Sequence, residues 1–294
     1  MILNQAALAA ATIGFNRQFE QGFDSLETEW QALATLIKSG TKQEQYNWLG
    51  QFPKMREWIG DRHVKAMRAH TYTIINKKFE GTVDIPADDF EDDQIGTYGS
   101  MFEDMGYAAK TQPDELLFEL IENGTTELCY DGQPMFNANH PKFGTGLTQS
   151  NYQGGSGDFW ALLDLRRPLK PFIMQERRPH RLIMKSDPAR DENMFWDGDI
   201  VFGVDGRRNV GFGFWQQIYA SHQTLNAANY NAAWVAMMEL ESDEGRRLGI
   251  RPTHILHGAS NRDTALTLLT SERLSNGESN INKGTVAPLL SNYI

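Results

Sequence analysis

A chain of 294 residues with a single cysteine, Cys129, has no internal disulfide to staple it and no cysteine cage to hold a structural zinc. Its fold must come from buried apolar surface and satisfied backbone hydrogen bonds. The material is present: 40% of residues are hydrophobic, and 16 Phe, 9 Tyr and 7 Trp supply large side chains for a core. Such a composition excludes disorder over the whole chain, and the length suits one large domain or two modest ones. No apolar run approaches the roughly 18 residues of a membrane helix. Residues 1–16 contain no Lys or Arg, so the start lacks the basic region of a secretory leader. The expectation is a soluble protein made and used inside a cell, with no membrane partner.

Charge narrows the function classes. The formal net charge is -10, which argues against a dedicated nucleic-acid grip, because phosphate binding needs clustered basic residues. The charge is uneven: residues 1–160 carry 12 basic and 23 acidic side chains (net -11), and residues 161–294 carry 16 and 15 (net +1). One half can complement the other across a contact between copies.

Periodicity gives a mixed set of elements. Leu8, Ala11, Thr12, Phe15 and Phe19 fall on one helical face whose apolar stripe needs a partner surface, and Trp30, Leu33 and Ile37 suggest a second helix ending at Ser39-Gly40. Residues 69–86 are rich in β-branched and aromatic side chains, with Asn76 between two runs, which predicts an extended strand or hairpin. Residues 95–123 predict one long helix kinked at Pro113, or two in line, with Asp114 and Glu115 in a first turn and Gly124 just past the end. The Gly-rich stretch 144–157 predicts a mobile loop. Short strands are expected at residues 182–184, 200–204, 212–215 and 253–257, and helices at 227–240 and 262–269. Strands and helices mix without regular alternation, so the fold class is α+β.

Sites of chemistry are few. Cys129, Asp131 and His140 place a thiol, a carboxylate and an imidazole within 12 positions. A Cys/His-dependent hydrolase needs the thiol and the imidazole within hydrogen-bond reach; the alternative is a buried cysteine beside an Asp-Gly turn, with His140 in an X-Pro loop. His254 and His257 would point to opposite faces of a strand. Asp197-Gly198-Asp199 and Asp205-Gly206 read as turns between strands rather than as calcium loops. No catalytic, cofactor-binding or metal residue is assigned. The strongest charge feature is Asp88-Asp89-Phe90-Glu91-Asp92-Asp93. Either Asp92 and Asp93 cap the helix starting near Ile95, or the run (Asp89, Glu91, Asp92 and Asp93) forms an acidic face for basic pairs of another copy. Arg166-Arg167, Arg177-Arg178, Arg207-Arg208 and Arg246-Arg247 are the available doublets.

A set of ordered blocks then carries a resemblance. Lys78-Phe79-Glu80-Gly81-Thr82-Val83 leading into the acidic run, Gln112-Pro113-Asp114-Glu115-Leu116, Cys129-Tyr130-Asp131-Gly132-Gln133, Asn139-His140-Pro141, Gln175-Glu176-Arg177-Arg178, Gly211-Phe212-Gly213-Phe214-Trp215-Gln216 and Arg251-Pro252-Thr253-His254-Ile255 resemble the Mu-like phage (prophage) major head subunit family. The matches run from about residue 12 to the C-terminus.

The resemblance implies a major capsid protein with the Hong-Kong-97-like fold: an N-terminal arm over residues 1–50, the extended loop (about 58–82) and peripheral-domain strands within 51–94, a spine helix within 95–124, and the rest of the peripheral and axial domains in 125–294. It implies no enzyme activity and no cofactor. It also implies a virion protein, assembled in the bacterial cytoplasm, whose pentamers and hexamers form an icosahedral shell around double-stranded DNA. The partners would be other copies of the chain, a scaffold and protease, a portal and a decoration protein. On this view Tyr72, Ile74, Ile75 and Phe79 pack on a neighbouring subunit, and Arg177 and Arg178 pair with carboxylates of another copy.

Overall fold

The computed structural model describes residues 5–49, 72–92, 95–142, 145–185, 198–242, 245–273 and 277–294. Most of the extended-loop expectation, residues 58–71, lies outside them, as do Asp93 and Asp197.

Two sheets and two helices organise the chain. The first sheet has four strands in the order β1 (Ala34–Lys38), β9 (Phe172–Met184), β10 (Asp199–Phe212) and β4 (Lys77–Pro86). β1 runs parallel to β9, while β10 is antiparallel to both β9 and β4. The second has five strands in the order β13 (Ala287–Leu290), β12 (His254–His257), β8 (Trp160–Leu163), β11 (Ile218–His222) and β7 (Tyr152–Gly155). Two small pairs, β2 (Gln43–Gln45) with β3 (Thr73–Ile75) and β5 (His140–Lys142) with β6 (Leu147–Gln149), complete the sheets. The helices are α1 (Gln5–Asp24), α2 (Trp30–Leu33), α3 (Ala87–Glu91), α4 (Gly99–Glu122), α5 (Ala227–Met238) and α6 (Arg262–Thr270).

The apolar stripe of α1 forms as its spacing predicts: Leu8, Ala11, Phe15 and Phe19 are all buried. Its partner is the same chain. Phe15 stacks on Phe102 of α4 at 4.1 Å and meets Phe202 of β10 edge-on at 5.3 Å, and Leu8, Ile85, Phe90 and Ile200 close the cluster. The partner surface that the stripe needs is thus supplied within the chain, by α3, α4, β4 and β10. Two glycines make the crossing possible. A Cβ on Gly22 would lie 1.8 Å from the Glu103 carbonyl oxygen, and one on Gly106 would lie 2.0 Å from the Phe19 carbonyl oxygen. Backbone sits on backbone there, and no side chain fits.

α4 runs unbroken through Pro113, preceded by a 3₁₀ turn at Ile95–Tyr98. Tyr98 stands at its N-cap with no side-chain cap, and Asp92 instead stands at the C-cap of α3. The acids before it serve a shorter element: Asp88 and Asp89 sit in the first turn of α3, where carboxylates favour the helix dipole. Asp114 caps from outside, accepting from the backbone N–H groups of Glu29 (3.2 Å) and Trp30 (2.6 Å) at the start of α2.

Other expectations shift. Ile37 lies on β1 rather than on a helix, because α2 stops at Leu33 and the chain extends alongside β9. Of residues 69–86, those described (72–86) run as the extended β3 and β4 rather than as a hairpin. Asn76 is buried, its amide donates to Ser39 Oγ and Thr41 O, and its oxygen accepts from Gln175, so β3 and β4 pair with different strands. The Gly-rich stretch contains β6 and β7 rather than only a loop. Asp205-Gly206 lies inside β10 at a register shift, where a Cβ on Gly206 would meet the His180 ring at 2.4 Å. Gly106→Val should lower unfolding stability by about 3 kcal/mol in urea titrations, since backbone must separate to admit the side chain; an unchanged midpoint would contradict the close crossing.

Candidate assembly surface

The residues singled out for contacts between copies divide into those used within the chain and those left at the surface. Ile74 is 3% exposed, lies in the main core and reaches over Gly211, where a Cβ would come 2.3 Å from its Cδ1. The expectation that it packs on a neighbour is corrected: β3 alternates, and Ile74 takes the inward face. Tyr72 is half-buried against the same core and its hydroxyl accepts the Phe212 N–H at 2.8 Å. Ile75, 50% exposed, points outward, and Phe79 on β4 is half-buried.

β4 is an edge strand with an open side among the described residues. Lys77, Lys78, Glu80, Thr82 and Asp84 are exposed along it, and charge of this kind blunts indiscriminate strand pairing. Just beyond it, Asp89 accepts from the Tyr98 hydroxyl and Asp92 is exposed; nothing is described of the Glu91 side chain.

The arginines are largely spent internally. Arg178 and Arg181 share the Asp205 carboxylate, Arg181 at 2.9 Å. Arg177 donates to the Ser39 carbonyl at 3.2 Å. This corrects the expectation for Arg178, whose carboxylate partner stands across the β9–β10 ladder in its own chain. Arg208, buried, meets Glu176 at 3.5 Å, and Arg166 meets Asp164 at 2.7 Å. Four of the acid–base contacts thus join residues of the second half to one another, which the charge imbalance between halves does not reveal.

Asp164 is the most enclosed of these carboxylates. It accepts from Arg166 Nε and Nη2 (2.8 and 2.7 Å) and from the backbone N–H groups of Arg166 (3.2 Å) and Arg251 (3.0 Å). Burial pushes its carboxyl up, but the Arg166 side chain and the two backbone donors together hold it below the usual carboxylate range. A cleft of about 310 Å³ opens beside this pair, and its lining, from Arg166 and Arg251 to Val286 and Ala287, contains no carboxylate, imidazole or thiol for acid–base chemistry.

The structure does bring Cys129, Asp131 and His140 together, which sequence spacing alone did not establish. The thiol donates to Asp131 Oδ1 at 3.0 Å and His140 Nδ1 faces Asp131 Oδ2 at 2.7 Å. The carboxylate stands between thiol and imidazole, so the hydrogen bond that would let the imidazole activate the thiol is not made. Burial, reinforced by the Asp131 charge, pushes the Cys129 thiol well up. The thiol stays protonated, the reverse of what a hydrolase nucleophile needs.

The sequence profile of the family described as Mu-like prophage major head subunit gpT matches residues 8–294. The chain belongs to the Mu-like prophage major head subunit family. Its sequence is 37% identical to the major capsid protein of Escherichia phage Mu over 306 residues, covering 100% of both chains. It is 38% identical over 273 residues to the Mu-like prophage FluMu major head subunit of Haemophilus influenzae, covering 90% of this chain and 88% of that one. Among solved structures, the procapsid of bacteriophage JBD30 superposes with a TM-score of 0.87 at 38% identity, covering 99% of this chain and 100% of that one. The JBD30 capsid gives 0.81 at 31% identity, covering 100% and 99%. The mixed helix-and-sheet architecture of this head subunit is therefore the Hong-Kong-97-like capsid fold, and its relatives are structural shell proteins.

Asp164→Asn should cost about 2 kcal/mol of stability at pH 7. The folded-state pKa lies below the unfolded value near 4, so this contribution is present above about pH 4 and fades as pH falls through the depressed value. Unfolding midpoints for both proteins between pH 7 and pH 3 check the sign: the gap narrows at acid pH, and a constant gap would contradict it.

Proposed function

We propose that the chain assembles with copies of itself into pentamers and hexamers that close an icosahedral phage head around double-stranded DNA. The observation that carries this reading is the end-to-end likeness, in sequence and backbone, to a subunit that builds a procapsid. The physics agrees. A shell subunit needs heterologous contacts that close into rings, and many modest contacts per subunit act together. The open β4 edge, exposed Ile75, Phe79 and the acidic cluster at Asp89 and Asp92 are the contact candidates that remain free of the core. Tyr72, Arg177 and Arg178 contribute by shaping the β3–β9–β10 surface they brace. A net charge of -10 suits a container in which DNA must slide rather than adhere.

In this reading α4 is the spine helix and, with α1 and the four-stranded sheet, forms the peripheral body. The five-stranded sheet belongs to the axial part. Assembly takes place in the bacterial cytoplasm with a scaffold and protease and a portal of the same phage. One JBD30 capsid carries trimers of a minor capsid protein, and a decoration protein of that kind is a partner for the finished shell here.

Ile75→Asp should leave the circular dichroism spectrum and unfolding midpoint unchanged while abolishing closed particles in electron micrographs. Ile74→Asp should instead unfold the chain, because it buries an unpaired charge in the core. Normal particles from Ile75→Asp would remove β3 from the contact surface.

A further inference from the structure

The cluster around His140 has a donor set and an orientation to which the proposed function assigns no role. The ligand atoms of Cys129, Asp131 and His140 all lie within 4.8 Å of one another, with Cys129 and His140 buried. Asn151, itself buried, fixes the imidazole. Its amide nitrogen donates to the Met135 carbonyl at 2.8 Å and the Trp215 carbonyl at 3.2 Å, so its oxygen is the acceptor; that oxygen takes the Asn137 N–H at 3.0 Å and faces His140 Nε2 at 3.1 Å. The Met135 carbonyl also faces Nε2, at 3.3 Å. Two acceptors around Nε2 mean that Nε2 carries a proton, and Nδ1 is the atom turned toward Asp131 and Cys129. Trp215 stacks on the ring at 4.0 Å and holds its plane. A histidine whose distal N–H is held by carbonyl oxygens and whose other nitrogen meets a thiol and a carboxylate has the arrangement of a metal ligand with its outer support in place.

We propose that Cys129 Sγ, His140 Nδ1 and a carboxylate oxygen of Asp131 bind one divalent cation of the zinc class. Thiolate, imidazole and carboxylate together suit a borderline-soft ion in tetrahedral geometry, and three ligands leave one position for water. Ligand atoms around such an ion stand roughly 3.3–3.8 Å apart, given bonds of about 2.0–2.3 Å. The present separations of 2.7 and 3.0 Å, and the 4.8 Å limit, are reached from there by side-chain shifts of about 1 Å. Binding forms the metal–sulfur bond at the expense of the thiol S–H: water leaves the cation's coordination shell and the thiol proton passes to solvent.

The test uses the full chain, produced in cobalt-supplemented medium and then titrated with Co²⁺ as an optical substitute for Zn²⁺. The expected result is one Co²⁺ per chain, a thiolate-to-cobalt charge-transfer band in the near ultraviolet and tetrahedral d–d bands. Calorimetry in buffers of different ionisation heat should show proton release on Zn²⁺ binding, as thiolate ligation requires. Cys129→Ser should lose the charge-transfer band, and Asn151→Ala should weaken binding about 10- to 100-fold by freeing the imidazole. No charge-transfer band on the wild-type chain, no proton release, or a band that survives Cys129→Ser would each overturn the assignment. If Cys129→Ser does not fold, the wild-type spectrum and proton release decide.

Discussion

One antiparallel strand pair, β9 with β10, runs through the two largest hydrophobic clusters and joins them. At one end Phe172, Ile173, Met174, Val210 and Phe212 belong to the large core that also contains the five-stranded sheet. At the other, Ile200 and Phe202 pack beneath α1 and α4, with Leu182 and Met184 against them. Thirteen and fourteen residues long, these strands bridge a distance that neither core spans alone. The backbone ladder between them joins one cluster to the other.

That ribbon also explains where the charges go. Antiparallel register sets Arg178 and Arg181 beside Asp205, and Arg208 beside Glu176, so residues that look like adhesive doublets in the sequence become cross-strand pairs. The surface left for other copies is correspondingly less basic, and its main open backbone edge is β4, the outer strand of the same sheet.

Much of this was legible in advance where a residue's role is local. The stripe of α1, a helical stretch ending near residue 122 and the helices after residues 227 and 262 follow from periodicity and punctuation, whereas the unbroken passage through Pro113 does not. Ordered motif blocks carried the family and hence the fold. What escaped depends on partners distant in sequence. Nothing near Ile74 reveals that Gly211 leaves room for it, and nothing near Asn76 reveals Gln175. Gly22 and Gly106 are unremarkable inside helices until the two backbones meet. Asp114 looked like an acid in a first turn and proved to cap a different helix. The Cys129–Asp131–His140 cluster was visible as a spacing, but its meaning turns on Asn151 and Trp215, which no local pattern ties to it.

The central claim is self-association through many modest contacts, and sedimentation velocity of the purified chain across a wide concentration range tests it most directly. The account predicts boundaries at many times 33.3 kDa, with rings of five and six in electron micrographs of the fastest fractions. A single species at 33.3 kDa at every concentration and ionic strength would contradict it.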